Sequence, residues 1–282
     1  MTDLLTSPAL PTAAAMAVAC ATLSVFVVSR RWAFIGEGIG HSGLGGAGTA
    51  WLLALALPPG SVLERPWVPY AGVVVFSLVT AAAIGWLTRG RRVNSDTAIG
   101  IFMVASFAWG ILAQNTYRHF RNGNPPAGWE VYLFGELRGL TPLFAVAAVA
   151  VCAAVVGVVA LLGKEIVYYC FDPAMAEASG VRAGFVHYLL MLLVALTIVI
   201  GARVVGTVLV TALLVLPGAT ANVVTTRLRS AVATGLTVAV VGTLAGLVLS
   251  RRWSFLPAGP AIVLSLFGLF LVAYAWSRLR RA

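Results

Sequence analysis

Long apolar runs with short polar breaks between them set the pattern of this chain. They fall near residues 10–29, 33–57, 69–88, 96–113, 141–163, 185–201, 204–219, 231–250 and 256–276. A helix that crosses a bilayer needs about 20 predominantly apolar residues, and these runs have that length. The pattern predicts an all-α integral membrane protein, a polytopic bundle of about 8 to 9 transmembrane helices. The run at 204–219 is short and ends near Pro217, which suggests a broken or half-length helix and leaves the count between eight and nine. The crossings occupy nearly all of residues 1–282, so one transmembrane domain is expected, with little chain left for a soluble one.

Composition agrees with this pattern. The chain is 60% hydrophobic and only 10% charged, with a mean hydropathy of +0.97, far from a soluble domain. The net charge of +10 comes from small basic groups between apolar runs, with no continuous basic face, which points to membrane topology rather than nucleic acid. Lys164 is the only lysine, and no GxxxxGK[ST] loop surrounds it. The chain is therefore read as no enzyme and as having no ATP motor of its own. Cys20, Cys152 and Cys170 lie in or beside apolar segments without CxxC spacing and are read as packing thiols. The N-terminal MTDLLTSPALPTAAAMAV lacks a basic n-region, so its apolar stretch is read as a retained first helix.

Basic residues in short loops orient the bundle. With the N-terminus outside, twelve of the nineteen fall on the inner side and seven on the outer side, which favours that topology. Arg203 is read as a snorkelling anchor near the outer side. Two connections are longer than the rest. Residues 114–140 begin as a polar Pro/Gly loop and continue as a short inserted helix. Residues 164–185 form the longest inside segment, with a turn at Asp172 and Pro173, helix-forming AMAEAS and a stop at Gly180.

The second run, FIGEGIGHSGLGG at 34–46, holds the chemistry. An ionisable residue inside a bilayer is costly unless it pairs or faces a cavity. Glu37 and His41, at i and i+4, share one helical face and are spaced to bind one ion together. A carboxylate and an imidazole suit a divalent cation such as zinc, manganese or iron. Two ligands hold an ion loosely enough to let it leave, as transport requires. A second copy of the chain, water or backbone carbonyls would complete the shell. Further down the face come Leu44, Gly45 and Gly48, so the wall beyond the pair is mostly backbone. The same spacing also fits a small-xxx-small packing face, with Gly36 and Gly40 admitting a neighbouring helix. His119, in the outer loop, and His187, where a helix leaves the membrane surface, are read as solvated or interfacial.

Six segments resemble the metal-chelate permeases of ABC importers, which carry zinc, manganese or iron across bacterial inner membranes. RRWAFIGEGIGHSGLGG (30–46) is similar to that family's second-helix pattern, and DTAIGIF (96–102) and YLFGELRGLTP (132–142) resemble two further motifs. FDPAMAEASGV (171–181) looks like its cytoplasmic coupling segment, and VGTVLVTALLVLPGATA (205–221) and LPAGPAIVL (256–264) match its C-terminal half in order. In the family the acid of the second helix is usually Asp. Glu37 lengthens that ligand arm by one methylene, and HSGLGGAG stands where relatives more often have Ala and Pro.

The resemblance implies the transmembrane permease subunit of an ATP-driven importer of divalent transition metal ions, in the bacterial cytoplasmic (inner) membrane. Metal would pass Glu37 and His41, with Gly45 and Gly48 lining the path. Its implied partners are a second permease copy or paralogue, a cytoplasmic ABC ATPase that binds the ATP, and an extracytoplasmic metal-binding protein. No cofactor would be bound permanently. Asp172, Pro173, Ala176, Glu177 and Gly180 map onto the ATPase-coupling segment. The residues by themselves also allow an ion- or proton-coupled secondary metal transporter, or a scaffold that uses the glycine face only for packing.

Overall fold

The computed structural model describes residues 9–56, 67–89, 93–121, 141–253 and 256–280. Its helices are α1 (Ala9–Ser29), α2 (Ile35–Leu55), α3 (Trp67–Arg89), α4 (Ser95–Phe120), α5 (Pro142–Leu161), α6 (Gly163–Phe171), α7 (Pro173–Ala178), α8 (Ala183–Val205), α9 (Thr207–Val224), α10 (Leu228–Arg252) and α11 (Ala258–Leu279). Among the described residues eight helices are long and apolar enough to cross a membrane, and α2 is not one of them. Seven glycines, Glu37 and His41 dilute its hydropathy. Its 21 residues span about 31 Å, and fifteen of them are buried against other helices. A helix shielded by protein needs no lipid-compatible surface, so a long helix without an apolar stretch of crossing length can lie deep in the bundle. By contrast, only 22% of the apolar window of α10 is buried.

Small residues let the helices close on α2. A Cβ on Gly46 would collide with the Gly72 carbonyl of α3, and one on Gly36 would stand 2.6 Å from Thr211 Oγ1 of α9. Without a hydrophobic drive between helices in lipid, such close backbone approach is the main source of association. Bonds between side chains add direction: Ser42 Oγ, whose proton goes to the Ile39 carbonyl (2.7 Å), pairs with Ser77 Oγ of α3 (3.0 Å) as acceptor, and Trp32 Nε1 donates to Ser95 Oγ at the start of α4 (3.3 Å).

Three local features differ from the pattern of the sequence. The polar stretch from Gln114 continues α4 as helix to Phe120, where a loop was expected. Arg118 and His119 sit in its last turn, where positive charge complements the helix dipole, and Tyr117 packs against Trp51 of α2. The YLFGELRG part of the outer connection lies outside the described residues; beyond it Thr141 caps α5 by accepting from Phe144 N. Second, α9 runs unbroken through Pro217, and its break comes earlier, at the buried turn on Gly206 (φ +88), where only glycine is unstrained. Third, an additional amphiphilic helix, α6, precedes the short helix of the AMAEAS stretch.

The α6–α7 layer sits at one end of the bundle. That end also holds Arg30 and Trp32 between α1 and α2, Gly85 near the end of α3 and His187 at the start of α8. The opposite end holds the start of α3 and α5 and the end of α8, where Arg203 stacks on Tyr70 (3.6 Å) and Phe144 (4.0 Å).

Candidate functional site

The four-residue spacing on α2 becomes direct contact. His41 Nδ1 lies 2.9 Å from the Glu37 carbonyl oxygen and 3.4 Å from Glu37 Oε2. A carbonyl can only accept, so Nδ1 carries the proton in the neutral ring and Nε2 keeps its lone pair. Backbone orientation of one imidazole nitrogen is the usual way a metal-binding histidine is held, with the other nitrogen presented outward. Phe107 of α4 contacts the ring edge-on at 5.2 Å and fixes its plane. Glu37 lies in the first turn of α2, where the helix dipole favours its carboxylate.

Neither side chain is enclosed: His41 is 28% and Glu37 31% exposed. They lie on the face of α2 that its own chain leaves partly uncovered, and the face continues to Thr49, which accepts from Trp109 Nε1 of α4 (2.9 Å). Among the described residues no three His, Cys, Asp or Glu side chains converge, and Glu37 and His41 are the two that meet here.

Gly45 and Gly48 are placed elsewhere. A Cβ on Gly45 would meet Phe76 and the Ser106 carbonyl at 3.0 Å, and one on Gly48 would stand 2.7 Å from Ala113 Cβ. Both are buried in contacts with α3 and α4, so Thr49, and not these glycines, extends the open stripe. Gly36 and Gly40 close on α9, at Thr211 and Thr207, so close packing on one side and the partly open Glu37–His41 pair coexist on one helix.

At the other candidate segment, Asp172 caps α7 by accepting from Ala174 N (3.1 Å) and Met175 N (3.0 Å), and Pro173 takes the first helical position. Gly180, at φ +83, ends the segment. Glu177 points to solvent. Ala176 is fully buried and anchors α7, so it presents no surface; exposed Phe171, Met175 and Phe185 do, and the sequence reading missed them. Burial pushes the Cys170 thiol of α6 up to about 12.

His187 is neither solvated nor interfacial. It is 5% exposed and spends both nitrogens: Tyr169 Oη lies 2.5 Å from Nδ1, and the Gly85 carbonyl 2.9 Å from Nε2. Its partners are 18 and 102 residues away, so no local pattern signals them. Arg203, half-buried, is held between two rings, as an anchor would be, and also borders a small cavity of about 60 Å³ near Gly40 and Gly43.

Comparison with known proteins gives the chain its family. The chain is 31% identical to the "Manganese transport system membrane protein MntC" of Halalkalibacterium halodurans, over 95% of this chain and 86% of that one. It is 29% identical to the "Probable iron transport system membrane protein" of Haemophilus influenzae, over 96% of this chain and 93% of the relative. To the "High-affinity zinc uptake system membrane protein ZnuB" of the same organism it is 28% identical, over 94% and 95%. Among solved structures, "PsaBC from Streptococcus pneumoniae in complex with Fab" superposes with a TM-score of 0.74 at 26% identity, covering 97% of this chain and 93% of that one. The sequence profile of the ABC 3 transport family matches residues 2–277. The chain thus belongs to the ABC 3 transport family and is a multi-pass bacterial inner-membrane permease of the metal-chelate ABC class.

Proposed function

We propose that the chain forms the metal path of an ATP-driven importer of a divalent transition ion, manganese, iron or zinc, with Glu37 and His41 as transient ligands. One observation carries the proposal: Nδ1 of His41 is spent on the Glu37 carbonyl, while Nε2 and the Glu37 carboxylate lie on a face that the chain leaves half open. A second copy related by a two-fold axis would place another Glu37 and His41 opposite, giving four ligands on the axis. Four mixed nitrogen and oxygen ligands suit these ions. The longer arm of Glu37 sets how far from α2 the ion sits.

In this reading the α6–α7 end faces the cytoplasm and meets a separate ABC ATPase. Glu177, Met175 and Phe171 form the docking surface, with Asp172, Pro173 and Gly180 shaping the segment and Ala176 holding it to the bundle. An extracytoplasmic metal-binding protein delivers the ion at the opposite end. ATP binding and hydrolysis by the partner tilt the helices about the path.

Metal uptake by inverted and right-side-out membrane vesicles that carry the chain with its ATPase tests the proposal. Uptake of manganese, iron and zinc is measured with and without ATP. Loss in Glu37→Gln and His41→Ala, with wild-type amounts of folded chain, is the expected result, and wild-type rates in both variants sink the path.

A further inference from the structure

We propose that Tyr169 and His187 are positioning residues that join the ATPase-facing layer to the helix bearing the metal ligands. This rests on the ATP-driven reading above. The Gly85 carbonyl has no proton to give, so His187 Nε2 carries one and Nδ1 accepts. Tyr169 Oη must then donate to Nδ1, and its lone pair accepts from Arg30 Nη2 at 2.9 Å. The result is a one-directional chain, Arg30 to Tyr169 to His187 to the Gly85 carbonyl, linking α1, α6, α8 and α3. Arg30 also lies over the Tyr169 ring at 4.4 Å.

Both ends of this chain lead to functional segments. Tyr169 is three residues before Asp172, the cap of α7, so a force on α7 reaches it through one turn of backbone. Arg30 is followed by Arg31 at φ 57, the turn into α2, and by Trp32, whose ring meets His187 edge-on at 5.7 Å. Glu37 begins only five residues further on. Movement of α6 therefore acts on the base of α2.

The joint also has unused bonding capacity. Arg30 Nε and Glu165 Oε2 are buried with no hydrogen-bond partner among the described residues. Glu165 lies four residues before Tyr169, on the same face of α6. Sliding of α6 by about one turn would bring Glu165 to the place of Tyr169 and pair it with Arg30, a second arrangement of the same parts. One buried atom on each of two half-buried, oppositely charged side chains, unpartnered in one state and paired in another, gives the joint two discrete positions.

The test uses the full complex with its ATPase in lipid vesicles, reading metal moved per ATP hydrolysed. It also reads the distance distribution between nitroxides at Phe34→Cys and Lys164→Cys, both exposed sites outside the docking surface proposed above, since the native cysteines are buried. Tyr169→Phe keeps the ring and removes the hydroxyl. It is expected to lower metal per ATP by about 10-fold while hydrolysis continues, and to broaden the label distances. Glu165→Gln is expected to keep the resting distance and lower the same ratio. An unchanged ratio in both variants, or uptake and hydrolysis falling together, overturns the joint. Uptake by the wild type that ignores ATP overturns the ATP-driven reading instead, so the two failures are distinct.

Discussion

His41 and His187 are the same residue in two settings, and their difference separates chemistry from architecture. Each sits near the start of a long helix and meets an aromatic ring edge-on. His187 spends both nitrogens inside the protein, on Tyr169 and Gly85, and is sealed from solvent. His41 spends one, on the backbone of its own helix, and shows the other on an open face. A side chain whose bonding capacity is exhausted holds structure together, and one held in place with capacity left over is available to a ligand.

The largest expected effect comes from exchanging the two losses. His41→Ala removes the ligand proposed above and leaves no buried group unpaired, so uptake is expected to fall by about 100-fold or more while thermal unfolding in detergent barely moves. His187→Ala removes the acceptor of the Tyr169 hydroxyl proton and one donor to the Gly85 carbonyl at a buried site, costing about 1–3 kcal/mol of stability. A variant pair with these readouts reversed breaks the distinction.

Next in size is the test of the glycines around the pair. Gly46→Ala drives a methyl into the Gly72 backbone, which neither helix can relieve by a rotamer change, and is expected to destabilise by about 1–3 kcal/mol. Gly100→Ala, on α4, meets nothing within 4 Å and is expected to be neutral or stabilising by about 1 kcal/mol. Unfolding of both variants in detergent measures the contrast. Equal effects would mean that α2 is not held by close backbone approach.

The bundle and the pair were legible because their signals are local. Apolar runs of crossing length and a four-residue spacing need no knowledge of distant partners. What the sequence hid was non-local. His187 looked interfacial because Tyr169 and Gly85 lie far off in the chain, and Gly45 and Gly48 seemed to line a path because their neighbours, Phe76 and Ala113, are on other helices. Helix α4 outran its apolar run because Tyr117 finds Trp51, and α6 was overlooked because nine amphiphilic residues read as loop beside 20-residue crossings. Ala176 reads as part of the coupling segment because it sits among polar and exposed neighbours in the chain, although it is itself buried.

The smallest effect is a reactivity change at Cys170. This thiol lies on α6 next to Tyr169, is 8% exposed, and burial pushes it up to about 12 despite the nearby Arg30 guanidinium, which acts the other way. A raised value means that the reactive thiolate is scarce near neutral pH, so alkylation by a maleimide is slow in the folded protein and must wait for α6 to open. With Cys20 and Cys152 replaced by Ala, Cys170 is the only thiol. Tyr169→Phe removes about 1 kcal/mol of hydrogen bonding from the docked state, so the opened fraction, and with it the alkylation rate, is expected to rise about fivefold. Under the same conditions Glu37→Gln should leave the rate unchanged, because the metal pair takes no part in docking α6. A rise in Glu37→Gln equal to that in Tyr169→Phe would show that the two regions open as one unit and would erase the contrast between ligand site and joint.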